Sequence, residues 1–173
     1  KQIGKWRFLY KQQVSFLKNK TMKIAIHSLS YNANTASFCI QLYDLLKSYN
    51  AEIVVENKLL NYLSKKGDNF KNVKSFDKTS ELKKIDFFFS IGGDGTLLNS
   101  VTYVKDKNIP ILGINTGRLG FLATTTKGNI EKTLEELFSN KYNIEERMLL
   151  QLNSNEDLFE GENFALNDFS ILK

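Results

Sequence analysis

Five consecutive residues, Phe87-Phe88-Phe89-Ser90-Ile91, run without a break into Gly92-Gly93-Asp94-Gly95-Thr96, and no other stretch constrains the fold as tightly. A strand with one face in water alternates apolar and polar residues. A run this continuous suits a strand covered on both faces, as inside a parallel sheet flanked by helices. The glycines end it abruptly, and Leu97, Leu98, Val101 and Val104 then recur at helical spacing. Ile109-Pro110-Ile111-Leu112-Gly113-Ile114 supplies another buried strand, with Pro110 near its start, where a missing N–H is tolerated. Strand, glycine turn, helix, strand predicts right-handed crossovers onto a mostly parallel sheet, with a ligand crevice beyond the carboxyl ends of the strands.

The same rhythm runs through the preceding residues. Lys23 to His27 reads as a strand and Ser28 to Thr35 as a polar loop, after which Phe38, Leu42, Leu45, Leu46 and Tyr49 mark one face of a helix. Glu52 to Val55 is a second strand, and Leu59 to Leu63 a short helix before a lysine-rich connection containing Gly67. Ile130, Leu134, Leu137 and Phe138 indicate a further helix, but Met148 to Leu152 and Phe164 to Leu172 then read as strands with no helix between them. The expected fold is therefore α/β: a mostly parallel, Rossmann-like sheet flanked by helices over residues 22–143, followed over residues 144–173 by the truncated start of a β-rich second domain. Residues 1–21 place Ile3, Trp6, Tyr10, Val14 and Leu17 at near-helical spacing among lysines, the pattern of a basic amphipathic helix or surface anchor. The preferred reading is an upstream extension, disordered or helical, ahead of a natural start at Met22.

Hydrophobic residues make up 42% of the 173, enough for a substantial core. The net charge of +5 suggests nucleic acid, but six basic residues and no acidic one precede Met22. Without those six, 18 basic residues face 19 acidic ones, so the body carries −1 and no phosphate-tracking surface is expected. No apolar run is long enough to span a bilayer, and neither a membrane partner nor a secretory leader is expected; the setting is cytoplasmic. Cys39 is the only cysteine and reads as a small buried hydrophobe; His27 is the only histidine and reads as a packed side chain, so no zinc cluster or Ser/His/Asp arrangement is available.

The chemistry concentrates at Gly92-Gly93-Asp94-Gly95-Thr96. Glycines at a strand-to-helix turn let backbone N–H groups approach an anion, and the helix N-terminus adds favourable potential. Asp94 is the informative residue, because a carboxylate beside phosphates is unfavourable unless it binds a metal or accepts a proton from a hydroxyl. The bland alternative is that it caps its own helix. Neither a P-loop nor a Gly-x-Gly-x-x-Gly fingerprint is present. The string resembles the GGDGT/S signature shared by NAD kinases, diacylglycerol and sphingosine kinases and 6-phosphofructokinases.

A second segment, Gly113-Ile114-Asn115-Thr116-Gly117-Arg118-Leu119-Gly120-Phe121-Leu122, resembles the G-[IV]-N-x-G-x-L-G-F-L segment of NAD kinases, where lipid kinases carry a P-x-G-T-G-N-D type string. Asn115, Gly117 and Gly120 suit a tight loop, and Phe121 offers an aromatic face to a purine. Ala165-Leu166-Asn167-Asp168 resembles the family's A-L-N-E segment with aspartate in place of glutamate, so Asp168 would reach a ribose through water or a small backbone shift. Glu145-Glu146-Arg147-Met148-Leu149 resembles the E-E-R-x-x-L stretch that enters the second domain, with a structural duty. The family's T-G-S-T-A-Y-like loop has no counterpart here, which implies a fragment, inactive alone.

The resemblance implies phosphorylation of the adenosine ribose 2′-hydroxyl of NAD to give NADP, with ATP or polyphosphate as donor and a divalent cation such as magnesium bridging phosphates. It assigns Asp94 as base; Gly92, Gly93, Gly95 and Thr96 to phosphate; Asn115, Gly117, Phe121 and Leu122 to the nucleotide; and Asn167 and Asp168 to ribose hydroxyls. No residue is assigned as a resident metal ligand. A homodimer or homotetramer is implied for the full-length enzyme. The alternatives are a lipid kinase of the same superfamily and a non-catalytic NAD-binding fragment.

Overall fold

A computed structural model describes residues 2–10, 21–78, 81–117, 120–153 and 164–166, with residues 2–10 and 164 described by their backbone. The strands are β1 (Gln2–Tyr10), β2 (Lys23–His27), β3 (Glu52–Glu56), β4 (Lys74–Phe76), β5 (Phe87–Ile91), β6 (Ile111–Asn115), β7 (Thr125–Thr126), β8 (Asn143–Gln151) and β9 (Phe164–Leu166). The helices are α1 (Ala33–Ser48), α2 (Asn57–Ser64), α3 (Asp94–Val104) and α4 (Ile130–Phe138). The strands run in the order β4-β3-β2-β5-β6-β1-β8-β9, with β7 also against β6. From β4 to β6 every pairing is parallel. The chain thus moves outward from β2 to β3 and β4, then returns to β2's other side with β5 and β6. The ends of β2 and β5 lie at that reversal, where doubly wound sheets open their ligand crevice.

The aromatic run is continuous because β5 serves two cores. Phe87, Phe89 and Ile91 enter one with Phe38, Leu42 and Leu46 of α1 and Leu134 and Leu137 of α4. Phe88 points to the other face, with Leu97, Val101 and Val104 of α3. All five residues of β5 are buried, and truncating a fully buried Phe such as Phe89 to Ala removes about 3–5 kcal/mol. The α/β expectation from the run and its flanking helices is met.

Three local readings change. Gln2–Tyr10 is a strand, not a helix: β1 meets β6 in parallel at Phe8 and Ile111 and runs antiparallel to β8. Residues 11–20, the remainder of the apolar spacing, lie outside the described residues. β8 begins at Asn143, ahead of the expected Met148, and so includes Glu145 and Arg147, whose side chains pair at 3.0 Å. The short strand Lys74–Phe76 had no sequence signal beyond Phe76, its one buried residue. β9 pairs antiparallel with β8, while the rest of the expected strand up to Leu172 lies outside the described residues. Among the described residues no helix is long and apolar enough to cross a membrane.

Candidate active site

The glycine turn leaves β5 with only Gly92 and Gly93 before α3 begins at Asp94. Gly92 has φ +156°, and a Cβ there would run into the Thr96 side chain, which is itself buried; both features demand glycine. The Gly92 N–H donates to the Ile114 carbonyl at 3.0 Å, tying the turn to the end of β6. Gly93 is the N-cap residue of α3 and has no side chain to offer, so no side chain caps this helix. Gly93 and Gly95 are exposed, and the first-turn backbone lies open at the carboxyl edge of the sheet.

Asp94 does not cap its own helix, which removes the bland reading. Its carboxylate turns across to the loop after β6: Oδ2 accepts from the Phe121 N–H at 2.8 Å and Oδ1 from the Leu122 N–H at 3.0 Å. These backbone donors, Phe121 foremost, hold the carboxyl below the usual aspartate range, against a smaller opposing effect of burial. Gly120 completes the fit, since a Cβ at that position would collide with the Asp94 carboxylate. The loop's other end is fixed by Asn115, buried at the end of β6, whose Oδ1 accepts from the Gly117 N–H at 2.8 Å. Gly113 lets β6 approach Leu97 and the Ala123 backbone more closely than any side chain would permit.

The structure therefore brings together Gly92, Gly93, Asp94, Gly95 and Thr96 with Phe121 and Leu122, and sets Asn115 and Gly117 at the base of the same loop. Leu122 packs toward the core under α3, whereas the adjacent Phe121 is 98% exposed. A side chain of that size facing solvent at the sheet's ligand edge is available for stacking rather than for core packing. Asn167 and Asp168 lie outside the described residues, as do Arg118 and Leu119 of the loop. The sequence showed Gly120 as a turn residue but not its partner, because the Asp94 carboxylate it accommodates comes from a distant part of the chain.

His27 keeps the packed role expected of it, with an added polar neighbourhood. It is 1% exposed at the end of β2, in register with Ser90, and its ring lies 5.0 Å from that of Tyr103. Neither ring nitrogen nor Ser90 Oγ has a hydrogen bond of good geometry. Burial pushes the imidazole down to about 4, with the nearby Asn99 amide offsetting part of the shift. Cys39 is buried in the α1 core, and burial pushes its thiol up to about 12, so it is a packing residue. Among the described residues no group of three or more His, Cys, Asp or Glu side chains is arranged to hold a metal ion.

The chain is similar in sequence to known proteins. The chain is 41% identical over 153 residues to an NAD kinase of Christiangramia forsetii, which covers 87% of this chain and 52% of that protein. It is 43% identical over 153 residues to one of Bacteroides fragilis, covering 88% and 52%. The chain thus spans about half the length of these curated relatives. Its backbone resembles a crystal structure of yeast NADH kinase complexed with NADH, with a TM-score of 0.62 and 19% identity over 78% of this chain and 41% of that one, a likeness of fold. The family described as the ATP-NAD kinase N-terminal domain matches residues 14–142, a stretch that contains both the glycine turn and the Phe121 loop, and the chain belongs to that family.

Proposed function

We propose that this chain supplies the phosphate-holding and adenosine-facing half of an enzyme that phosphorylates NAD at the 2′-hydroxyl of its adenosine ribose, with ATP or polyphosphate as donor. One observation carries the reading: an uncapped, glycine-built helix N-terminus whose single carboxylate is turned toward the loop that exposes Phe121. In this reaction the ribose oxygen bonds to the terminal phosphorus, the bond from that phosphorus to its bridging oxygen breaks, and the hydroxyl proton passes to Asp94. Backbone N–H groups of Gly93, Asp94 and Gly95 hold phosphate oxygens, since those of Gly92 and Thr96 already donate to the Ile114 and Gly93 carbonyls. The Phe121 ring lies on the adenine, Leu122, Asn115 and Gly117 hold its loop, and Asn167 and Asp168 bind ribose hydroxyls. A divalent cation such as magnesium would come in with the phosphates and neutralise their charge, since the described residues offer no cage of their own. We place the active form in the cytoplasm as a homodimer or homotetramer, with residues 1–21 as an upstream extension whose strand β1 joins the sheet between β6 and β8, residues 22–143 as the nucleotide-binding domain and residues 144–173 opening a β-rich one.

The test is NADP formation by the 173-residue chain and by a hybrid that continues it with the second half of one of the curated relatives. The chain alone is expected to be inactive and the hybrid active. Asp94→Asn in the hybrid should lower turnover by about 10²–10⁴-fold, because it removes the proton acceptor and little volume. Near-normal NADP formation by that variant would refute the role given to Asp94. Nucleotide binding without any transfer by the hybrid would favour the non-catalytic alternative.

A further inference from the structure

We propose that Asp94 is also the positioning residue of the Phe121 loop: its carboxylate, seated on the Phe121 and Leu122 N–H groups in the space left by Gly120, sets where the exposed aromatic ring stands over the glycine turn. The contact joins two segments far apart in sequence that leave neighbouring parallel strands, β5 and β6. Both carboxylate oxygens are engaged, and hydrogen bonds in which the acceptor is charged are roughly twice as strong as neutral ones. Beside this anchor, among the described residues, Leu122 packs against the α3 core and the Thr124 N–H donates to the Gly113 carbonyl at 3.1 Å. Phe121 itself has nothing beneath its ring. Its position depends on its own backbone, and its backbone depends on Asp94.

The anchor and the catalytic duty compete. A carboxylate stabilised by backbone donors is a weaker base than a free one, and the lowered pKa of Asp94, caused by Phe121 first and then Leu122 and Ala123, agrees with that geometry. Basicity toward a ribose hydroxyl rises as the loop gives up these hydrogen bonds. Nucleotide stacking on Phe121 and release of the base are thereby mechanically linked. The effect on nucleotide capture rests on the function proposed above; the anchoring itself does not.

The experiment is amide exchange and pH titration by NMR on the 173-residue chain, followed by NAD affinity in the hybrid. In the parent chain the Phe121 and Leu122 amide resonances should move together with pH, with a midpoint below the ordinary aspartate value. In Asp94→Ala both amides should exchange at least about tenfold faster, while the Gly117 amide, held by Asn115, is unchanged. Gly120→Ala keeps the carboxylate but displaces it, and should accelerate the same two amides and weaken NAD binding by about tenfold. Asp94→Glu should restore part of the protection. Unchanged exchange at Phe121 and Leu122 in Asp94→Ala overturns the anchor whatever the enzyme does. Faster exchange together with full NADP formation by Asp94→Asn would instead leave the anchor standing and remove the base.

Discussion

The ends of β2 and β5 are neighbours in the sheet, and they hand the chain to their helices in opposite ways. After β2 the loop satisfies itself: Ser28 Oγ accepts from the Ser30 N–H at 3.1 Å, the Asn32 amide donates to Ser30 Oγ at 2.7 Å, and Asn32 Oδ1 accepts from the Thr35 N–H at 2.9 Å. Helix α1 thus begins with a side-chain cap, and part of its donor capacity is filled from within the chain. After β5 two glycines suffice, α3 has no side-chain cap, and its first carboxylate serves a different loop. The same position in the fold is closed in one case and open in the other. An open helix end beside a carboxylate is a poor way to stabilise a domain and a good way to meet a phosphate and a hydroxyl together.

Of the changes that separate these two handovers, the largest effect should come from closing the open end. Gly93 has ordinary extended dihedrals, and nothing lies within 4 Å of a Cβ built on it, so a side chain fits there. Gly93→Asp would cap α3, and the chain should lose no stability and gain a few tenths of a kcal/mol. It would also put a negative charge and a competing acceptor where phosphate is proposed to bind. NADP formation by the hybrid should fall about 10³-fold, roughly 4 kcal/mol in barrier. A capped variant that keeps its activity would show that the uncapped end of α3 has no part in phosphate binding.

Between the two handovers, His27 of β2 and Ser90 of β5 face each other with their polar atoms buried, under Asn99 and Tyr103 of α3. The folded imidazole is held down to about 4, while in the unfolded chain it takes up its proton near its ordinary 6.5. Above that value both states are neutral and stability is unaffected. As pH falls from about 6.5 toward 4 only the unfolded state binds the proton, so stability should drop by about 3 kcal/mol and then level off for this group. Denaturant unfolding across this window checks the size, and His27→Leu should flatten the slope. Because the chain has one histidine, its single imidazole signal is a second check. Titration near 6.5 in the folded protein would show that the His27 ring is open to water.

What could be read from the sequence divides along the same line. The run Phe87–Ile91, the helical faces of α1, α3 and α4 and the glycine turn were legible because each is a local pattern with a steric or solvation cause. β1 was misread because Ile3, Trp6 and Tyr10 fit helical spacing, while the partners that make Gln2–Tyr10 a strand, β6 and β8, lie far along the chain. β8 was read short because its first residues, Glu145 to Arg147, are charged, and an edge-ward strand can carry charges on both faces when neither is covered. The destination of the Asp94 carboxylate was not legible at all. Its identity suggested chemistry and its position suggested a cap, but only the parallel pairing of β5 with β6 brings Phe121 within reach.

The smallest expected effect tests the other side of the comparison. Asn32→Ala removes the acceptor for the Thr35 N–H at the start of α1 and the donor to Ser30, and should cost about 1 kcal/mol, a few degrees of melting temperature in a chain of this size. Its effect on NADP formation by the hybrid should stay within about twofold, because the cap is filled by the chain and has no donor to offer a ligand. Thermal unfolding and a turnover assay on the same variant separate the two quantities. If Asn32→Ala instead lowers turnover as steeply as Gly93→Asp while stability hardly moves, the loop after β2 is itself part of the phosphate site. The contrast between a closed and an open helix end would then be one of geometry alone, with no division of labour behind it.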